Sequence, residues 1–245
     1  MSVGPSRRNP TRGAIDGQVD SGDAVPFGEV ARVLAGKPTF RHLALALPLF
    51  VCAAYVLNIW GPAFLIRVHG LSKAEIGASF GLIVGVAGGV GSIAGGLLSD
   101  RLGRRDRRWY PWLPMVATLA AIPFQLGFLL APDAKLALVC LGPAVFLNAT
   151  AIAPLWTANQ AVSPLRMRAT SYSIIHLGIS VISGGLAPLA VGALNDGLAP
   201  ALGDQAIRTS LFLILATNLW GAFHAGMAGQ RLPRDTTTFE REGHA

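Results

Sequence analysis

Acidic residues are scarce in this sequence, and they avoid its apolar stretches. Only 13 of 245 residues are Asp or Glu. None lies in the uncharged runs 42–66, 76–99, 109–132, 136–165, 169–195 and 209–230. Charged residues make up 13% of the chain, against about 25% in soluble domains. There are two cysteines, Cys52 and Cys140, both inside apolar runs, which excludes a disulfide framework and a thiolate metal site. Paired carboxylates, a nucleophile beside a base and a His-Glu-x-x-His spacing are all missing, so an enzyme is not expected and neither a metal nor a cofactor is implied. The first 40 residues lack the apolar segment of a signal peptide.

What is present is apolar. Hydrophobic residues are 52% of the chain, glycines number 29, and mean hydropathy is +0.50. Each uncharged run exceeds the ~18 residues that mark a membrane-spanning helix. The predicted fold is an all-α membrane protein with six transmembrane helices, near 43–66, 76–99, 110–132, 136–160, 169–195 and 209–229. They form one bundle over 41–230. Residues 1–40 read as a cytoplasmic disordered tail with a short interfacial helix at 26–36, and 231–245 as a second cytoplasmic tail.

The net charge of +7 does not point to nucleic acid, because the basic residues sit in short loops and tails between apolar runs. Sixteen of them lie in the two tails and the loops 101–108 and 166–168, on one side. Four, Arg67, Lys73, Lys135 and Arg208, lie on the other. Positive charge accumulates inside, so both termini are expected in the cytoplasm and the protein in the plasma (cytoplasmic, inner) membrane.

Local signals sharpen the helices. Ser72 and Glu75 form a capping box for the second span, with Leu71 and Ile76 as a hydrophobic staple. Gly77, Gly81, Gly85 and Gly89 recur every four residues along it, a spacing that lets helix backbones approach. The loop after it reads Gly96-Leu-Leu-Ser-Asp100-Arg101-Leu-Gly103-Arg104-Arg105. Gly96 is expected to admit a neighbouring backbone there, and Gly103 to supply a left-handed stop. The first span carries Tyr55, Asn58, Trp60 and a Gly61-Pro62 break. The fourth carries Gly142-Pro143, Asn148, Thr150, Pro154, Trp156, Thr157, Asn159 and Gln160, and Gly and Pro are expected to interrupt both spans. His176 and His224 titrate near neutral pH within the later spans, with His224 expected at the interface.

The pattern Gly-x-x-x-Asp-Arg-x-Gly-Arg-Arg over Gly96–Arg105 resembles the signature loop of the major facilitator superfamily. The run from Arg104 to Pro114, the stretch Arg67-x-His-Gly-Leu-Ser-Lys-Ala-Glu-Ile-Gly77 and the stretch Pro164-Leu-Arg-Met-Arg-Ala169 resemble spinster-type members. The likeness covers about residues 38–230 and only the C-terminal six helices of a twelve-helix transporter.

The resemblance implies alternating-access transport of a small organic or amphipathic, lipid-like solute. The alternative is a non-transporting subunit or truncated remnant. It implies a complementary N-terminal six-helix half, or a second copy, as partner in the bilayer. The first and fourth spans would line the cavity, which makes Tyr55, Asn58, Trp60, Asn148, Thr150, Trp156, Gln160 and His176 the substrate-lining candidates. Gly96, Asp100, Arg101, Gly103, Arg104, Arg105, Arg166 and Arg168 form the gating loop, with Asp100 expected to pair with Arg166 or Arg168, or else to cap an exposed helix N-terminus, when outward-facing. The second span and the small residues Ser171, Ser180, Ser183, Gly184 and Gly185 of the fifth would face the missing half.

Overall fold

The computed structural model describes residues 25–242, with side chains through Thr236. Among them the chain is helical almost throughout. A short helix α1 (Phe27–Ala35) precedes α2 (Pro38–His69), α3 (Lys73–Gly103) and α4 (Trp109–Leu130). Next come α5 (Ala134–Thr150) and α6 (Ile152–Val162), then α7 (Arg168–Gly178), a π-helical segment (Ile179–Leu186) and α8 (Ala187–Leu202). The chain closes with α9 (Ala206–Leu211) and α10 (Leu213–Glu242). The expected tail 1–24 lies outside the described residues.

Each helix start has a physical cause. Ser72 and Glu75 bond reciprocally to open α3, and Leu71 packs against the cluster that holds Ile76. The Asp133 side chain accepts from the Leu136 N–H to open α5. The residue before α2, Lys37, offers no side-chain cap; Asp235 of α10 does so from across the bundle, accepting from the Thr39 N–H at 2.9 Å. That contact, with Leu232 fully buried, explains why α10 continues as helix past the end expected near 229. Gly70 takes φ +69 and ends α2 as a left-handed cap.

The breaks fall elsewhere than the Gly-Pro pairs suggest. α2 runs unbroken through Pro48 and Pro62, so the expected interruption at Gly61-Pro62 does not occur. The fourth span breaks at Ala151, not at Pro143. Pro154 has no N–H for the Thr150 carbonyl and its ring crowds that carbonyl, which is the register of the break. In the fifth span Ser183 donates to the Pro48 carbonyl at 2.7 Å from within the π-helical segment. The turn at Gly203 (φ +53) separates α8 from α9, which pack on each other. The stretch Leu165–Thr236 thus makes two passes, and the described residues make six in all.

Two hydrophobic clusters divide the bundle by depth. One gathers Val30, Leu43, Val162, Ile175 and Leu232 with Tyr110 and Met167 at its edge. The other gathers Leu65, Ile76, Ala131, Ala137 and Ile207 with Val68 and Leu71. The first end therefore holds α1, the 101–108 turn, the Arg166–Arg168 turn and the end of α10. The second holds Arg67, Lys73, Lys135 and Arg208, so the chain sorts its basic residues by end as the six-span reading requires. α1 is an amphipathic helix docked on α2 and α7, burying Val30 and Leu34 and leaving Phe27 exposed.

α3 stands apart in burial. Only 11% of its most apolar window is covered by the rest of the chain, against 50% for α2. Its close contact is with α5, where a Cβ on Gly91 or Gly95 would strike the carbonyls of Phe146 and Thr150. Thr150 Oγ1 bonds the Gly91 carbonyl at 3.1 Å across the same seam.

Candidate functional site

The polar residues of the first and fourth spans separate into two groups. Asn58 and Asn148 line one cavity of about 300 Å³ between α2, α3, α4, α5 and α10. Its wall is mostly aliphatic and aromatic. Asn58 Nδ2 donates to the Ala54 carbonyl at 2.7 Å, and Asn148 Nδ2 to the Ala144 carbonyl at 2.8 Å. Asn148 Oδ1 also accepts from Asn218 Nδ2 at 3.4 Å, which ties α5 to α10. Each amide thus spends a donor on its own helix one turn back and presents its remaining groups sideways.

The other candidates lie away from this cavity's wall. The Trp60 indole N–H donates to the Pro188 carbonyl at 3.1 Å and joins α2 to α8. Thr150 is buried in the α3–α5 seam. Tyr55 is exposed beside Gly184, and Gln160 is exposed at the end of α6. Trp156, Tyr172 and His176 stack into an aromatic column. Trp156 and Tyr172 centroids lie 4.4 Å apart, and Tyr172 and His176 are 5.4 Å apart and nearly parallel at 13°. Tyr172 was not singled out in the sequence, although its four-residue spacing from His176 placed both on one helix face.

Sequence reasoning also missed Gln125, Ser92 and Asn218. Gln125 of α4 and Ser92 of α3 line the cavity. A lone amide in an apolar run such as 109–132 is a functional signal in its own right. His42 was missed too: its Nδ1 lies 2.9 Å from His224 Nδ1, and His224 is buried between α2 and α10.

The gating loop needs two corrections. Gly103 is helical rather than left-handed; it is glycine because a Cβ would strike the Tyr110 ring as the chain turns into α4. Gly96 faces open space, and the close approach is made one residue earlier by Gly95. Asp100 is exposed; its carbonyl accepts from the Arg104 N–H, and among the described residues its carboxylate makes no hydrogen bond. Arg101, Arg104 and Arg105 are all exposed around the same turn. The Arg166–Arg168 turn is set by a different network: Ser163 donates to Ser171 at 2.8 Å, and Ser171 donates to Asn159 Oδ1 at 2.8 Å.

The fifth-span residues expected to face a missing half divide as well. Ser171 and Ser183 are buried inside the bundle by the bonds just described, whereas Ser180 and Gly184 are exposed and Gly185 is half-exposed. Along α3, a Cβ on Gly77, Gly81, Gly85 or Gly89 would meet nothing within 4 Å.

Six apolar passes around an apolar cavity, with most of the basic residues gathered at one end, are the architecture of a multi-pass membrane protein. Comparison with known proteins agrees. The Major Facilitator Superfamily profile matches residues 4–188, and the chain belongs to that family. An MFS-type efflux pump of Mycolicibacterium smegmatis is 34% identical over 203 residues, covering 82% of this chain and 47% of that protein. The fold is that of a bacterial homolog to the human lysosomal transporter Spinster. Its inward-facing, unoccupied structure superposes with a TM-score of 0.74 at 24% identity, covering 86% of this chain and 51% of that one. The occupied inward-facing form gives 0.71 at 24% identity, covering 82% and 51%. The chain spans about half the length of the relatives it matches.

Proposed function

We propose that this bundle is the C-terminal half of a secondary transporter that carries a small organic or amphipathic solute by alternating access. It works in the cytoplasmic membrane, with the Arg-rich 101–108 end inside. The observation that carries this reading is the bare flank of α3. A helix of 31 residues with 11% of its apolar window covered lacks a protein neighbour that the other helices have. Its open glycines offer a close-packing track for another helix. A second six-helix half, whichever polypeptide carries it, fits that flank, and the two halves rocking against each other expose the space between them alternately.

Within this reading Asn58, Asn148 and the Trp156–Tyr172–His176 column supply polar and aromatic contacts to solute. Asp100 and the arginines at 101, 104, 105, 166 and 168 form a cytoplasmic latch whose charge pairs gain strength as closure removes water. The efflux pump from M. smegmatis supports export as the direction of transport. The test is a vesicle assay that follows release of a fluorescent amphiphile, N-phenyl-1-naphthylamine, with the chain alone and with a complementary six-helix half. Energised release that requires both halves is expected. Equal leak in all vesicles contradicts the proposal.

A further inference from the structure

We infer that the cavity inside this half is itself a binding site, specific for uncharged amphiphiles that carry an N–H or O–H group to meet Gln125. The inference rests on the transport reading for its purpose, but its geometry is independent of a second half. The cavity has a floor and a mouth. Gln125, Phe128, Leu141 and Leu215 are buried at the floor, while Ala54, Asn58 and Ser92 are exposed at the mouth. The volume of about 300 Å³ is at the lower end for small-molecule sites, about 300–1,000 Å³.

Gln125 is the reason this space is more than a packing defect. Its side chain is 8% exposed, its Oε1 has no hydrogen-bond partner, and it lines the cavity. A buried carboxamide oxygen without a donor is costly, and more so at membrane depth, where lipid offers none. The surrounding polar groups do not relieve it. Asn58 and Asn148 direct a donor to carbonyls on their own helices, and the Ser92 hydroxyl donates to the Gly88 carbonyl at 2.9 Å. None of these bonds supplies the donor that Gln125 Oε1 lacks, and an occupant bearing an N–H or O–H supplies it.

Charge is excluded by the same wall. Among the described lining residues none is ionisable. An ion held there would be desolvated with no counter-ion, whereas a neutral apolar body gains from the aliphatic and aromatic lining. The ligand class is therefore a neutral amphiphile with one donor deep in the floor and its bulk against Phe50, Leu57 and Val145.

Three probes on one skeleton test this. N-phenyl-1-naphthylamine is neutral with a single N–H. Its N-methyl derivative lacks the donor, and 8-anilino-1-naphthalenesulfonate adds a fixed charge. Binding to the full chain in lipid nanodiscs is read by energy transfer from its five tryptophans, with empty nanodiscs subtracted. Saturable one-to-one binding of the amine is expected. Methylation of the amine and Gln125→Leu should each weaken it roughly tenfold, and together no further, because both remove one hydrogen bond. The sulfonate should bind at least tenfold more weakly than the amine, and Ala54→Trp at the mouth should abolish binding of all three. Gln125→Met replaces the Leu variant should that one fail to fold.

Equal binding of the amine and its methyl derivative, an unaffected Gln125 variant, a sulfonate bound as well as the amine, or no saturable signal overturns the inference. The two proposals fail separately. Gln125-dependent binding with no transport on adding the second half removes the transport reading and leaves the pocket. Two-half transport that ignores Gln125 and the N–H removes the pocket and leaves transport.

Discussion

Gly91 and Gly95 of α3 face α5, where a methyl group would strike the carbonyls of Phe146 and Thr150. Gly77, Gly81, Gly85 and Gly89 share their four-residue spacing on the same helix and face open space. One track is filled by this chain and the other is left bare. The difference shows that spacing reports the capacity for close packing, while the identity of the neighbour is decided by tertiary structure. It also gives the two tracks different meanings: the first holds the half together, and the second is available to another half.

Substitutions on the two tracks break the comparison most sharply. Gly95→Leu should prevent α3 from seating on α5, with loss of the monodisperse peak in size-exclusion chromatography, because the obstacle is backbone and cannot move aside. An overpacked site of this kind costs about 1–3 kcal/mol or more. Gly81→Leu should leave the isolated half within about 0.5 kcal/mol of wild type by thermal unfolding, as for a surface change. It should nevertheless abolish transport once a second half is present. A Gly81 variant that unfolds the isolated chain would show the bare track to be an internal seam.

Smaller changes test what closes the first track and the cytoplasmic end. Asp235→Ala removes the cap that α10 gives α2 and should cost about 1 kcal/mol, seen as a lowered unfolding temperature. Thr150→Val deletes the hydroxyl bonded to Gly91 and should cost about 0.6 kcal/mol, as for hydrogen bonds between membrane helices. Asp100→Asn should leave the stability of the isolated half unchanged, because the Asp100 side chain is exposed and makes no hydrogen bond among the described residues. In a two-half assembly it should shift the population inward-facing, read as altered maleimide accessibility of a cysteine placed at Asn58. Unchanged accessibility would reduce Asp100 to a solvated loop charge.

The six passes were legible because lipid demands long uncharged runs, and runs can be counted. The Ser72–Glu75 cap was legible because its geometry is local. Long-range pairings were not. Nothing in sequence spacing distinguishes Gly95, which meets a carbonyl, from Gly96, which meets nothing. The helix break followed Pro154 rather than Pro143 because backbone continuity depends on whether neighbours accommodate each freed carbonyl. Ser171 and Ser183 look like surface glue in sequence, but hydrogen bonds to Asn159 and Pro48 draw them inward. Asn58 and Asn148 stand out in the sequence because amides in apolar spans are conspicuous, and both border the cavity. Gln125 is equally conspicuous, but it lies on α4, which family resemblance did not assign to the cavity.

Cysteine cross-linking along the bare track tests the central claim most directly. Cysteines are introduced singly at Gly85 and, as a control, at Leu119, an exposed position on α4, in a chain with Cys52 and Cys140 replaced. The chain is expressed in membranes alone and with a complementary six-helix half that carries single cysteines scanned along its helices, and treated with a short bis-maleimide. A cross-link from position 85 to a second half or a second copy, with none from position 119, is the predicted result. Position 85 remaining as unlinked as position 119 in both settings would contradict it, and would make the bare flank of α3 a surface for lipid alone.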